Sequence, residues 1–116
     1  MEETYLYLIE QLAKEDLAYI HLVESVERDV TNRLRKAWPN TFILNPNTGM
    51  GIPTGPDALE LIDDGTADLI SYGAHFIANP DLPARLELGA PLAEGDRATY
   101  YSGDHRGYTD YPTLSA

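Results

Sequence analysis

"ADLISYGAHFIANPDLPARL", Ala67–Leu86, decides how this chain is read. Its first part, "ADLISYG", is a short apolar run rich in strand formers, of the kind a parallel sheet buries. Asn79-Pro80-Asp81 then reads as a helix start: an N-cap, a proline at the first helical position and an acid in the first turn. Strand, turn and helix in that order belong to a βα unit. Such a turn often holds a phosphate on backbone N–H groups. Inside the turn, however, the only side chain able to carry positive charge is His75, and the residue after Gly73 is a bare Ala74.

The same pattern repeats toward the N-terminus. "TFILN", Thr41–Asn45, reads as a buried strand, and so does the nearly continuous apolar run "LAYIHLVE", Leu17–Glu24. Both are expected to be buried on both faces. Helices alternate with them. Tyr5, Leu8, Ile9 and Leu12 form one apolar stripe, and "ERDVTNRLRKAW" puts Val30, Leu34 and Trp38 on one face. After the loop "PNTGMGIPTG", a helix is expected from Thr54, where Thr54 and Asp57 match a Thr-x-x-Asp start. It should stop at Gly65, a left-handed C-cap. Beyond Leu86 the sequence is irregular.

Alternation of strands and helices predicts an α/β fold with a parallel sheet. Right-handed crossovers place the strand C-termini at one edge, where ligands bind in such folds. The expected architecture is a partial TIM-type (β/α) barrel: about three βα units over 1–86 and an irregular tail over 87–116, in one domain. A complete barrel of this kind needs roughly 250 residues, and this chain has 116. Helices on one side of three strands leave the other sheet face bare. Another protein chain, or further copies of this one, is expected to cover it.

Composition narrows the partners. Acidic residues outnumber basic ones 19 to 8, a formal net charge of -11. That argues against nucleic acid and anionic membrane, which need a basic footprint. The chain has no cysteine, so disulfides, thiolate metal sites and cysteine nucleophiles are excluded. The N-terminal stretch is acidic and amphipathic, unlike a signal peptide, and a soluble cytoplasmic protein is the expectation.

Several motifs together carry a family resemblance: "ADLISYG", "FIANPDLPARL", "GAPL" and "YYSGDHRGYTDYP", with weaker support from "YIHLVE" and "AWPNTFI". In this order they resemble the C-terminal part of the Old Yellow Enzyme family, flavin-dependent alkene reductases built on an α/β barrel. The resemblance covers nearly the whole chain and corresponds to roughly the last three of eight βα units. It implies FMN as cofactor, hydride from a nicotinamide cofactor, and reduction of an activated alkene. It also implies that this segment is mostly a cradle for the FMN phosphate, with Tyr101 beside the flavin in the substrate pocket. The family's proton-donating tyrosine and substrate-binding pair lie in the earlier part of the barrel. No catalytic residue is therefore assigned among these 116 residues.

Two parts of the cradle depart from the family. Its Gly-Arg pair appears here as Gly73-Ala74. A guanidinium hydrogen bond to a charged group contributes about 1.5–3 kcal/mol, and the neighbouring His75 is a weak substitute, since an imidazole is mostly neutral at pH 7. The family's short Gly-Gly-Tyr-Thr link is replaced by the longer "NPNTGMGIPTGPD", in which Gly51 and Thr54 keep their places. The enlarged loop either builds a different anion nest from Gly49 and Gly51 or fills the site, with loss of FMN.

The candidate cofactor residues are thus Gly49, Gly51, Gly73, Ala74 and His75. Three functions follow. The chain is the phosphate-side part of a split or truncated reductase acting within an oligomer. Otherwise it is a cofactor-free scaffold or binding subunit. As a third reading, its pocket is repurposed for non-redox chemistry on a small hydrophobic metabolite, through Tyr101 and His75. His21, mid-strand, reads as a core or pocket histidine with a satisfied hydrogen bond. Glu24 stands at the functional edge and could act as acid or base, although a capping carboxylate is the commoner role. His21, His75 and His105 lack metal-ligand spacing. Asp110 is expected to organise the tail.

Overall fold

A computed structural model of the chain describes residues 1–25 and 27–115. They form two compact units. The first comprises Met1–Gly49 and Asp57–Ser71; the second comprises Met50–Pro56 and the residues from Tyr72 onward.

The first unit is built on α1 (Glu2–Leu12), β1 (Tyr19–Val23), α2 (Arg28–Ala37), β2 (Thr41–Asn45), α3 (Glu60–Asp63) and β3 (Leu69–Ile70). The strands are parallel in the order β1-β2-β3, as the alternation predicts. The register pairs Ile20 with Phe42, Leu22 with Leu44 and Leu44 with Ile70, so these five side chains share one face. That face holds the core. Phe42 and Leu44 are fully buried against Ile9 of α1, Leu34 of α2 and Trp38. Each such side chain contributes roughly 1.5–3 kcal/mol by leaving water. The Trp38 indole N–H reaches Thr41 O at 2.9 Å, which fixes the turn between α2 and β2.

The opposite face carries Tyr19, His21, Val23, Ile43 and Leu69. Tyr19, Val23 and Leu69 are half or more exposed, at 57%, 64% and 50%. Within this chain β1 thus has a covered face and an open one, the bare face that helices on one side are expected to leave. The α1 stripe shifts. Leu6, Ile9 and Leu12 face the core, whereas Tyr5 and Leu8 are exposed.

Between β2 and β3, the helix expected from Thr54 starts instead as a tight 3-10 turn, Pro56–Leu59, leading into the one-turn α3. No side chain caps α3. Gly65 has φ 82°, the left-handed geometry expected of it.

In the second unit a short helix, α4 (Ala74–Ala78), follows Gly73 directly, and α5 (Leu82–Leu88) comes after it. Asp81, not Asn79, is the residue before α5. The N-cap reading of Asn79 is thus corrected: its side chain is fully buried and bridges other backbone. A 3-10 turn, Arg97–Thr99, is the regular element of the tail. No helix among the described residues is long and apolar enough to cross a membrane.

Candidate functional site

An open cavity of about 790 Å³ lies in the second unit. Gly51, Ile52 and Pro53, which follow β2 in the chain, form one wall. Gly73, Ala74 and His75, which follow β3, form another. The tail closes the ring with Glu94, Arg97, Tyr100 and Tyr101. Five of the six residues singled out in the sequence, Gly51, Gly73, Ala74, His75 and Tyr101, are thus brought together. Gly49 falls in the first unit, where its N–H donates to Asn47 Oδ1 at 3.0 Å.

The longer loop lines the cavity through Gly51, Ile52 and Pro53. Its glycine sets the local path, for Gly51 has φ 76°, a conformation other residues adopt only with strain. A Cβ placed on Gly73 would meet nothing within 4 Å, so space opens directly over that turn. Tyr100 and Tyr101 stand edge to face, ring centroids 6.5 Å apart. The Tyr100 hydroxyl lies against Gly95, where a Cβ would come within 2.6 Å of it. Tyr101 is almost wholly exposed.

Two buried polar side chains give the tail its shape, and the sequence reading singled out neither for this role. Arg85 Nε donates to Asp81 Oδ1 at 2.8 Å, while its two terminal nitrogens reach Pro91 O and Pro112 O, both at 3.1 Å. Asp81 Oδ2 accepts from Leu114 N at 2.9 Å. That backbone bond, followed by Arg85, holds the Asp81 carboxyl below the ordinary aspartate range. Asn79 donates to His75 O and Ala93 O and accepts from Ala93 N, at 2.7, 3.0 and 2.8 Å. Asp110 accepts from Gly107 N at 2.7 Å, a bond local to its own loop.

In the first unit Glu24 is buried at the C-terminal end of β1 and is saturated with donors. Arg28 grips it with two nitrogens at 2.8 and 3.0 Å, Thr31 Oγ1 donates at 2.6 Å and Asn47 N at 3.0 Å. Burial raises its pKa, but these donors together outweigh burial and hold it below the usual glutamate value. A carboxylate so engaged is a structural anchor and not the acid or base of a reaction. His21 Nε2 lies 2.8 Å from Ser71 Oγ, so its hydrogen bond is satisfied as expected, but the side chain is exposed on the open sheet face and is not in the core. No group of three or more His, Asp or Glu side chains among the described residues is gathered as a metal ion needs.

A parallel βα sheet with one covered face defines the class of protein as a partial α/β barrel. Comparison with known proteins agrees. The chain is 42% identical over 113 residues to a 12-oxophytodienoate reductase-like protein of Solanum lycopersicum, a match covering 93% of this chain and 30% of that protein. It is 38% identical over 121 residues to 12-oxophytodienoate reductase 2 of Arabidopsis thaliana, covering 96% and 31%. It superposes on morphinone reductase, solved in complex with tetrahydroNAD, with a TM-score of 0.83 and 39% identity, covering 97% of this chain and 30% of that one. No family model matches the chain. The chain belongs to the Old Yellow Enzyme family and aligns to one part of its members. It spans about 30% of the length of the curated relatives it matches.

Proposed function

We propose that this chain supplies the flavin-phosphate side of an Old Yellow Enzyme-like alkene reductase. It acts only where the remaining barrel strands complete it, whether they belong to the same polypeptide, another chain or further copies. The observation that carries this reading is the cavity itself, where the two segments following β2 and β3 meet with Tyr101 beside them. The residues present fit the phosphate end of FMN. Gly51 and Gly73 leave bare backbone along the walls, Ala74 adds only a methyl group, and the space over Gly73 is open. When bound, FMN supplies the hydride-transfer chemistry. The chain's own residues bind and orient: the two turns receive the phosphate end, and Tyr101 shapes the pocket for a small hydrophobic substrate.

The test is a chimera. The matching part of the tomato 12-oxophytodienoate reductase-like protein is exchanged for this chain, and the purified product's visible spectrum is recorded. Flavin absorbance, with oxidation of reduced nicotinamide by an activated alkene, supports the reading. A folded but colourless chimera overturns it.

A second reading rests on the open sheet face, where Tyr19, Val23 and Leu69 are exposed. The chain is then a scaffold that self-associates through this face without cofactor. Sedimentation separates the two: a stable, flavin-free homo-oligomer favours the scaffold, and a monomer excludes it.

A further inference from the structure

The sequence has six arginines. Five are committed to carboxylates: Arg28 to Glu24, Arg33 to Glu2, Arg35 to Asp68, Arg85 to Asp81 and Arg106 to Asp104. Arg97 alone has no carboxylate within ion-pair distance among the described residues. Its neighbour Asp96 is occupied as a cap, accepting from Ala98 N at 3.0 Å. The free guanidinium lines the cavity, and its Nη1 stands 4.0 Å from where a Cβ on Gly51 would be. A rigid fork of N–H donors therefore faces a glycine turn, with open space over Gly73 in the same cavity. That combination matches a phosphate monoester, whose oxygens accept bidentate guanidinium bonds and backbone N–H together.

We propose that Arg97 is the phosphate-binding cation of this cavity, supplying from the tail the charge that Ala74 does not. The inference rests on the flavin reading for the identity of the ligand, but not for the anion site itself. One lining group opposes it. Glu94 faces the same cavity and repels an anion there, so its neutralisation strengthens binding.

The experiment uses the full 116-residue chain in four forms: wild type, R97A, R97K and E94Q. Inorganic phosphate is titrated while the Arg97 Nε–H resonance is followed by NMR. FMN and riboflavin, which differ by the phosphate alone, are titrated by fluorescence quenching. The expected result is a phosphate-dependent shift of Arg97 and tighter binding of FMN than of riboflavin. R97A weakens FMN by about tenfold to a hundredfold and leaves riboflavin unchanged. R97K retains part of the preference, and E94Q raises FMN affinity. An unmoved Arg97 resonance overturns the inference, as does an FMN preference that survives R97A. Binding of both flavins equally overturns it while leaving the flavin reading intact. A phosphate shift at Arg97 with neither flavin bound to the isolated chain sustains the anion site, and the flavin reading is then decided by the chimera alone.

Discussion

The two units are held by different forces. In the first, order comes from apolar burial: of the nine buried hydrophobic side chains among the described residues, seven lie there, from Ile9 to Ala67. Its charges are spent on neighbouring charges, as in Glu24 with Arg28 and Asp68 with Arg35. In the second unit Ala78 and Leu82 are the only buried hydrophobics among the described residues. There the shape comes from Arg85 and Asn79, whose side chains bind backbone carbonyls across the tail. A sheet needs a continuous apolar face, whereas a ligand cavity needs exposed backbone and open space. Polar staples hold loops in place without filling the space between them.

The largest expected effect breaks the first unit. Phe42→Ala removes a fully buried ring from the centre of the core. Large-to-small changes of this kind cost about 3–5 kcal/mol. Trp38, the single tryptophan, sits in the same core, so urea unfolding followed by its fluorescence reads the loss directly. A loss under about 1 kcal/mol would mean that burial does not dominate here, and the contrast between the units would collapse.

The next effect belongs to the second unit. Arg85→Met keeps bulk but removes the bonds to Asp81, Pro91 O and Pro112 O. The Asp81 carboxylate and two backbone carbonyls are then left without the guanidinium that joins them. The Leu114 amide, which donates to Asp81, should exchange faster with solvent, and the tail should be cut sooner by protease. Unchanged exchange at Leu114 would show that the tail owes its place to something other than Arg85.

Acid sharpens the comparison further. Glu24 has its pKa lowered in the folded state, because its donors outweigh burial. Its contribution is therefore complete above the unfolded glutamate value of about 4.3 and is lost as pH falls through the lower folded value. Asp68 shifts the same way, through Arg35 first and Phe42 N second. Glu24→Gln should lower stability at neutral pH by about 1–2 kcal/mol and flatten the acid limb of Trp38-detected unfolding. If the wild-type and E24Q curves stay parallel from pH 7 to 3, Glu24 does not carry the acid sensitivity.

How much of this was legible in the sequence differs between the units for the same reason. β2 was read to the residue, Thr41–Asn45, because an apolar strand between polar breaks is a local signal. The parallel order followed from strand–helix alternation. The covered face of β1 did not, since Tyr19, Ile20, Leu22 and Val23 are all apolar and only the neighbouring elements decide which face is buried. In the second unit, Asn79 looked like a cap because Pro80 follows it. Pro83, three residues on, offers a second start, and Asn79's bonds to Ala93 leave Asp81 to precede α5. The glycines and Tyr101 of the cavity came from resemblance. Arg97 gave no local sign, because its importance lies in standing near Gly51, far away in sequence, and in lacking a carboxylate that the other arginines have.

The smallest predicted effect tests whether counting ion pairs is a fair way to rank the two regions. Arg33 and Glu2 pair on the surface with side chains 67% and 39% exposed. Exposed pairs of this sort contribute about 0–0.5 kcal/mol, because water screens the charges and two long side chains lose freedom. Arg35 and Asp68 are better placed: two bonds at 2.5 and 2.8 Å, with Phe42 N donating to the same carboxylate at 2.9 Å. A double-mutant cycle on each pair should give coupling near zero for Arg33–Glu2 and about 1 kcal/mol for Arg35–Asp68. Salt at 1 M, where screening acts over about 3 Å, should erase the first and reduce the second only in part. Equal couplings would mean that fork geometry and the shared backbone donor add nothing. Paired arginines in the first unit would then be as weakly committed as Arg97 in the second, and absence of a partner would no longer single it out.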